Sequence, residues 1–242
     1  MRKTLAKIFH ETVGRVISLI REGLISNSLS SYKDGIHNIS PKPPYVSQFA
    51  NAEKSKIDGY YQAIHDASAS RRFGTKTLED FSYWAWRSCG IAGVQMVLKA
   101  QLSKSFAKST MELVNEALSL EGYNTKTDTG WYHDSLVKLA KNYGIEARLS
   151  KFVAPTQIAK LVLEGNYVLA SIKSLSGGHL LLIHGVVIKN GRLESFIVHD
   201  PYNFTEEGES KRVSKAKFES LSTRRIIIFE NKEGQNASAN RI

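Results

Sequence analysis

The sequence predicts an α+β fold, with helices first and an antiparallel β-sheet after them. Two observations carry this. Between Cys89 and Leu163 apolar residues recur at helical spacing, and from Tyr167 onward they gather in short strand-like runs. Within those runs, Asn190-Gly191 is the strongest short signal for a two-residue hairpin turn, because both residues accept φ > 0. With 242 residues the chain fits one large domain with an appendage, and it can bury a core without disulfides.

Residues 1–76 read as an N-terminal extension, an amphipathic helix followed by an irregular segment. Leu5, Ile8, Val13, Val16, Ile17 and Ile20 fall near a helical stripe that packs on the body or on a partner. Weak contact of residues 1–22 with a membrane surface is the lesser expectation. Arg2, Lys3 and Lys7 resemble the start of an export signal, but no apolar core of ~7–15 residues follows them. No later run reaches the ~18 apolar residues of a membrane span. The sequence therefore predicts a cytoplasmic protein with no transmembrane segment. Pro41, Pro43 and Pro44 force an extended or turning path before Tyr45, and Ile57 to Ala69 predicts a short helix.

Residues 77–230 form the main domain. Leu78 to Trp86 carries Phe81, Tyr83, Trp84 and Trp86, an aromatic cluster that reads as a core wall, a cleft lining beside Cys89, or both. Ile91, Val94, Val97 and Leu98 predict a buried helix from Cys89 to about Leu102. Ser109 and Glu112 form a capping box for the next helix, which Gly122 stops. A third helix runs from about Tyr132 to Asn142 with Gly144 at its end, and a fourth from Thr156 to Leu163 after Pro155. Strands follow at Tyr167–Ile172, Leu180–Lys189 and Leu193–Val198, then a short element at Val213–Phe218 and a final strand at Arg225–Glu230. The tail, 231–242, is polar and expected to fray.

The formal charge is +10, from 33 basic and 23 acidic side chains. The excess is spread along the chain without a dense basic block or a nucleic-acid motif, so no nucleic-acid partner is expected. One cysteine cannot form an internal disulfide. No zinc spacing is present, so no metal and no cofactor are expected.

The candidate chemistry centres on Cys89. A lone cysteine is more often a small buried hydrophobe than a nucleophile. Its place at a helix N-terminus, however, favours the thiolate through unpaired N–H groups and the positive end of the helix dipole. If Asn190-Gly191 makes a two-residue turn, Lys189 pairs with Arg192 and paired positions sum to 381. Asp200 then faces Leu181, and His179 lies two residues from Leu181 on the same face. His179 and Asp200 become diagonal neighbours about 5.5–8 Å apart at the backbone. His184 and His199 fall on the other face. Gly177 and Gly178 leave the backbone open beside His179, as a substrate cleft needs, and Trp86 is the other cleft candidate. A Cys–His pair with an orienting carboxylate suffices for nucleophilic acyl transfer, with Cys89 as nucleophile, His179 as base and Asp200 holding its tautomer.

These residues resemble the C39-like peptidases, a branch of the papain-like cysteine proteases. The resemblance rests on Cys89-Gly90-Ile91-Ala92 opening an apolar helix, Gly178-His179 opening a strand, and His199-Asp200-Pro201. Gly130-Trp131, Tyr143-Gly144 and Glu164-Gly165 agree in order and spacing. It implies a papain-like fold, catalytic Cys89, His179 and Asp200, and a peptide or protein substrate, with leader-peptide processing as the best-known reaction. The family usually places an oxyanion-binding glutamine five or six residues before the cysteine; here Trp84 and Tyr83 stand there. Tyr83, Trp84 and the backbone N–H of Cys89 are the oxyanion candidates. The alternative is a catalytically impaired domain of this kind that binds peptides.

Overall fold

A computed structural model describes residues 2–25, 28–102, 106–128, 130–174 and 177–231; the expected polar tail beyond Asn231 lies outside them. Its central helix, α4 (Cys89–Leu102), follows α1 (Arg2–Ile25), α2 (Ala67–Phe73) and α3 (Leu78–Ala85). Every residue of α4 from Gly90 to Leu98 is buried, as befits a helix with almost no polar face. It approaches the sheet closely because two residues lack a Cβ. A Cβ on Gly93 would stand 2.4 Å from Leu169 Cδ1, and one on Gly90 2.9 Å from Leu136 Cδ1 and 3.0 Å from Leu180 Cδ1. Thr77 caps α3 by accepting the Asp80 N–H. The expected Ser109–Glu112 box caps α5 (Thr110–Ser119), and α6 (His133–Asn142) ends before Gly144 at φ 76°.

The sheet contains β1 (Gly35–Asn38), β2 (Ala147–Lys151), β3 (Tyr167–Ser174), β4 (Gly177–Lys189), β5 (Arg192–His199), β6 (Lys211–Ser214) and β7 (Ser222–Phe229). Its order is β2-β7-β3-β4-β5-β6 with antiparallel neighbours throughout, and β1 pairs with the far half of β4. Two further helices, α7 (Pro155–Leu163) and α8 (Lys215–Leu221), complete the α+β arrangement that the sequence predicts. No helix among the described residues is long and apolar enough to cross a membrane.

The β4–β5 hairpin keeps the predicted register at both ends but not in the middle. Lys189 pairs with Arg192 across Asn190 (φ 51°) and Gly191 (φ 67°). Glu194 is then an extra residue on β5, so Ser195 faces Val187; His184 is an extra residue on β4, and Leu182 faces His199 as the sum of 381 requires. The turn is held from outside, since Asp34 accepts the N–H groups of Asn190 and Gly191.

Residues 1–76 are woven into this body. β1 joins the sheet, Leu29 and Ile39 enter the main core, and Phe49, Ile64 and Phe73 form a second core with Phe81 and Trp86. The helix expected over Ile57–Ala69 is not formed. That stretch is a loop closed by an Ile57–Ile64 bridge, with Gly59 and Tyr61 at positive φ; α2 starts only after Asp66, whose carboxylate accepts the Ser68 and Ala69 N–H groups. The first helix forms, but Val16 and Ile20 of its expected packing stripe face solvent, and it docks through Gly14, Ser18 and Glu22 instead.

Candidate active site

Cys89 heads α4, partly exposed, where the close approach allowed by Gly90 brings it against the start of β4. β5 ends opposite Leu182, so the first residues of β4 have no paired strand on that side among the described residues. His179 stands there. Its Nε2 donates to Asp200 Oδ1 at 2.8 Å, and the Cys89 thiol lies close enough to its ring for each to shift the other's proton affinity. The thiol further accepts the N–H groups of Leu180 and Gly90. Cys89 and Asp200 thus act on His179 from two sides.

The electrostatics favour charge separation between Cys89 and His179. Burial opposes the thiolate, but the hydrogen bond and charge of His179, then the Leu180 and Gly90 N–H groups, hold Cys89 below the ordinary thiol value of 9.0. Burial likewise opposes the imidazolium, yet Asp200 and Cys89 push His179 up to about 10. Asp200 resists its own burial and is held down at about 2 by His179, Lys211 and the Tyr202 N–H. The proton therefore belongs to His179 and the negative charge to the sulfur.

Several residues that position Asp200 escaped the sequence reading. Its Oδ1 also accepts the Tyr202 N–H at 3.1 Å, and Lys211 Nζ lies 3.3 Å from Oδ2. Its backbone is strapped from both sides: the N–H donates to Gly208 O at 2.9 Å, and Tyr45 O–H donates to its carbonyl at 2.9 Å. Tyr45 comes from the N-terminal segment, and no local pattern links it to residue 200. Lys211 reaches the site because β6 pairs with β5, Val198 opposite Lys211.

The other candidates lie as follows. Trp86 is buried, its Nε1–H donating to Gln62 O at 2.9 Å, in a cluster with Phe49, Tyr60, Tyr61, Phe204 and Tyr202. Tyr202 links that cluster to His179, ring centroids 5.9 Å apart. Gly177 opens β4 opposite Ser174, and a Cβ on the exposed Gly178 would touch nothing. Tyr83 donates its O–H to Asp128 Oδ1 at 3.2 Å, and Trp84 packs against Tyr123 and Trp131. The Cys89 N–H lies in the first helical turn, where N–H groups lack intrahelical acceptors. His184 and His199 stack on each other at 4.2 Å. Among the described residues no group of three or more His, Cys, Asp or Glu is placed to hold a metal ion.

Helices ahead of an antiparallel sheet, with a cysteine heading the buried helix, make this a papain-like α+β fold. The chain belongs to the Peptidase_C39 like family, which matches residues 56–225. No curated protein matches it. Among solved structures, a Bacillus anthracis protein described as a C39-like peptidase is 16% identical and has a TM-score of 0.50, covering 81% of this chain and 98% of that one. The peptidase domain of Streptococcus ComA, a bifunctional ABC transporter involved in quorum sensing, is 22% identical over 60% of this chain and 93% of its own, with a TM-score of 0.42. A double glycine motif protease from an AMS/PCAT transporter, solved with the leader peptide, is 16% identical over 59% and 84%, with a TM-score of 0.39.

Proposed function

We propose that the protein is a cysteine peptidase that cleaves peptide bonds through Cys89, His179 and Asp200. The observation that supports it most is the His179–Asp200 hydrogen bond beside the Cys89 thiol, with His179 raised and Cys89 lowered by each other's charge. The Cys89 thiolate attacks the scissile carbonyl, and the oxyanion turns to the Cys89 N–H, with Trp84 as second donor, or Tyr83 once its O–H leaves Asp128. His179 gives its proton to the leaving amine, and the thioester is then hydrolysed by water that His179 deprotonates. Asp200 keeps the imidazole oriented and charged. The substrate class is a peptide, as in leader-peptide or other peptide processing, and membership of the C39-like family supports that class. A cytoplasmic setting, which keeps a single thiol reduced, belongs to the same reading.

A second reading, a domain that binds peptides with impaired catalysis, is favoured by one observation. The positions where the family carries its glutamine hold Tyr83, bonded to Asp128, and Trp84, packed between aromatic rings. Loss of one oxyanion donor costs about 10²–10³ in rate. Peptide turnover by the wild type that Cys89→Ser abolishes decides for the peptidase. Iodoacetamide should alkylate the wild type far faster than His179→Ala, and equal rates would remove the proposed activation.

A further inference from the structure

Helix α1 docks on the body by its least apolar face. Gly14 lies against the Phe152 ring, where a Cβ would stand 2.6 Å from Cδ1. Four residues on, Ser18 Oγ donates to Val153 O at 3.4 Å. Four further on, Glu22 accepts the Thr156 N–H at 2.9 Å and pairs with Lys215. These three residues are buried. On the outward side Val16, Leu19, Ile20 and Leu24 are 50%, 52%, 59% and 81% exposed. They are four of the six large aliphatic side chains that stand exposed among the described residues, the others being Ile36 and Leu78. Scattered apolar side chains need no explanation, but four on one helical face point to an interaction surface.

Charge selects the occupant. α1 carries Arg2, Lys3, Lys7, Arg15 and Arg21 against Glu11 and Glu22, and Glu22 is committed to Lys215 and Thr156. At 100° per residue Arg15 and Arg21 fall on opposite borders between the docked stripe and the outward apolar face. Arg224 adds positive charge close to Arg15. A second copy of the same helix would bring like charges together along both borders, in a chain of net charge +10. An anionic lipid surface complements both features, taking the aliphatic face below the headgroups and the guanidinium groups at phosphate level. With its polar stripe facing the body, the helix does not need to leave the protein to bind.

We propose that α1 anchors the protein to an anionic membrane surface, lying in the plane of the interface with Val16, Leu19, Ile20 and Leu24 turned into it and the body on the aqueous side. This does not depend on the chemistry of Cys89.

The test uses the full chain and sedimentation with vesicles of phosphatidylcholine, alone or with about one third phosphatidylglycerol. Wild type should sediment with the anionic vesicles and far less with the neutral ones. The double variant Ile20→Glu/Leu24→Glu should lower the partition coefficient by about tenfold or more. Both positions are solvent-facing, so its thermal midpoint and Cys89 alkylation rate should match wild type, which separates lost binding from lost folding. Arg15→Glu should weaken binding and its salt dependence together. Wild type left in the supernatant with anionic vesicles, or a double variant that binds like wild type, overturns the proposal. So does a wild-type dimer in sedimentation velocity that the double variant dissociates while neither protein binds vesicles, because the face is then a contact between copies.

Discussion

His179 Nε2 and Asp200 Oδ1 stand 2.8 Å apart across a hairpin whose register slips twice and recovers. Each bulge alone would shift the pairing by one residue and turn the Asp200 end of β5 to the other face of the sheet. Glu194 on β5 and His184 on β4 cancel, so the separation set at the Asn190-Gly191 turn survives to the site. The bulges therefore concern the middle of the hairpin, where His184 is turned toward His199, and leave the His179 end as a plain ladder would.

The ordering of the two pKa values makes a prediction about thiol reactivity. Cys89 is held below its ordinary value and His179 is raised to about 10, so in wild type the thiolate should form at lower pH than in a variant without the imidazole. Iodoacetamide alkylation of wild type should reach half its maximum at a lower pH than that of His179→Ala. In His179→Ala the thiol loses the stabilising cation while its burial remains, so the rate should climb with pH toward or beyond 9.0. A wild-type profile with the same midpoint as that of the variant would contradict the ion pair.

Gly90→Ala should separate the two partners without touching either. Its Cβ would stand 2.9 Å from Leu136 Cδ1 and 3.0 Å from Leu180 Cδ1, both tips of side chains able to yield a little. The expected cost is about 1–3 kcal/mol, the usual range for overpacking. Because Leu180 follows His179, the strain falls between Cys89 and the imidazole. The alkylation rate at neutral pH should drop together with the thermal midpoint. Gly93→Ala, whose Cβ would stand 2.4 Å from Leu169 Cδ1, should destabilise as well but leave the rate closer to wild type.

The helix at Cys89 and the hairpin were legible because each depends on local signals, periodicity in one and turn chemistry in the other. Leu182 opposite His199 followed from the turn alone, though the two bulges did not. β1 and β2 were missed, since four or five residues such as Gly35-Ile36-His37-Asn38 carry too little alternation to stand out. The apolar stripe of α1 left open whether it meets the body or a partner, and the body takes the opposite face for a physical reason: Glu22 gains a helix N-terminus and Lys215, which an apolar stripe could not use. Tyr45 and Gly208 were invisible because their partner, the Asp200 backbone, is distant in sequence or offers no side-chain pattern.

That strap can be tested at its two ends. Tyr45→Phe removes the O–H that Asp200 O and Asn203 O accept, and should cost about 1–3 kcal/mol for the carbonyls left short of a donor. Gly208→Ala is harsher. Its Cβ would lie 2.2 Å from Asp200 O and 2.3 Å from Tyr45 Oη, and a backbone carbonyl cannot swing aside. Both variants should slow peptide turnover more than alkylation at neutral pH, because the thiolate survives while the orientation of His179 by Asp200 loosens. Gly208→Ala with unaltered turnover would show that the strap does not position the carboxylate.

The stacked histidines set the acid limit of stability. His199 Nδ1 accepts the Ser210 N–H at 3.1 Å, so Nε2 carries the proton and donates to Pro43 O at 2.9 Å. His184, 1% exposed and 4.2 Å from that ring, is pushed down to about 3 by burial and then by the charge its neighbour would carry. A histidine whose folded value is depressed gives stability above its unfolded value of about 6.5, and that stability is lost as pH falls toward the folded value. For His184 the window runs from about 6.5 down to about 3, and the loss across it is on the order of 5 kcal/mol. Urea unfolding at neutral pH and near pH 4.5 should therefore differ by about 2–3 kcal/mol in wild type from this group alone. His184→Gln, which cannot take up the proton, should start less stable at neutral pH and lose less on acidification. An equal loss in both proteins would assign the acid sensitivity elsewhere; His199, also held below the ordinary imidazole value by burial, is the next candidate.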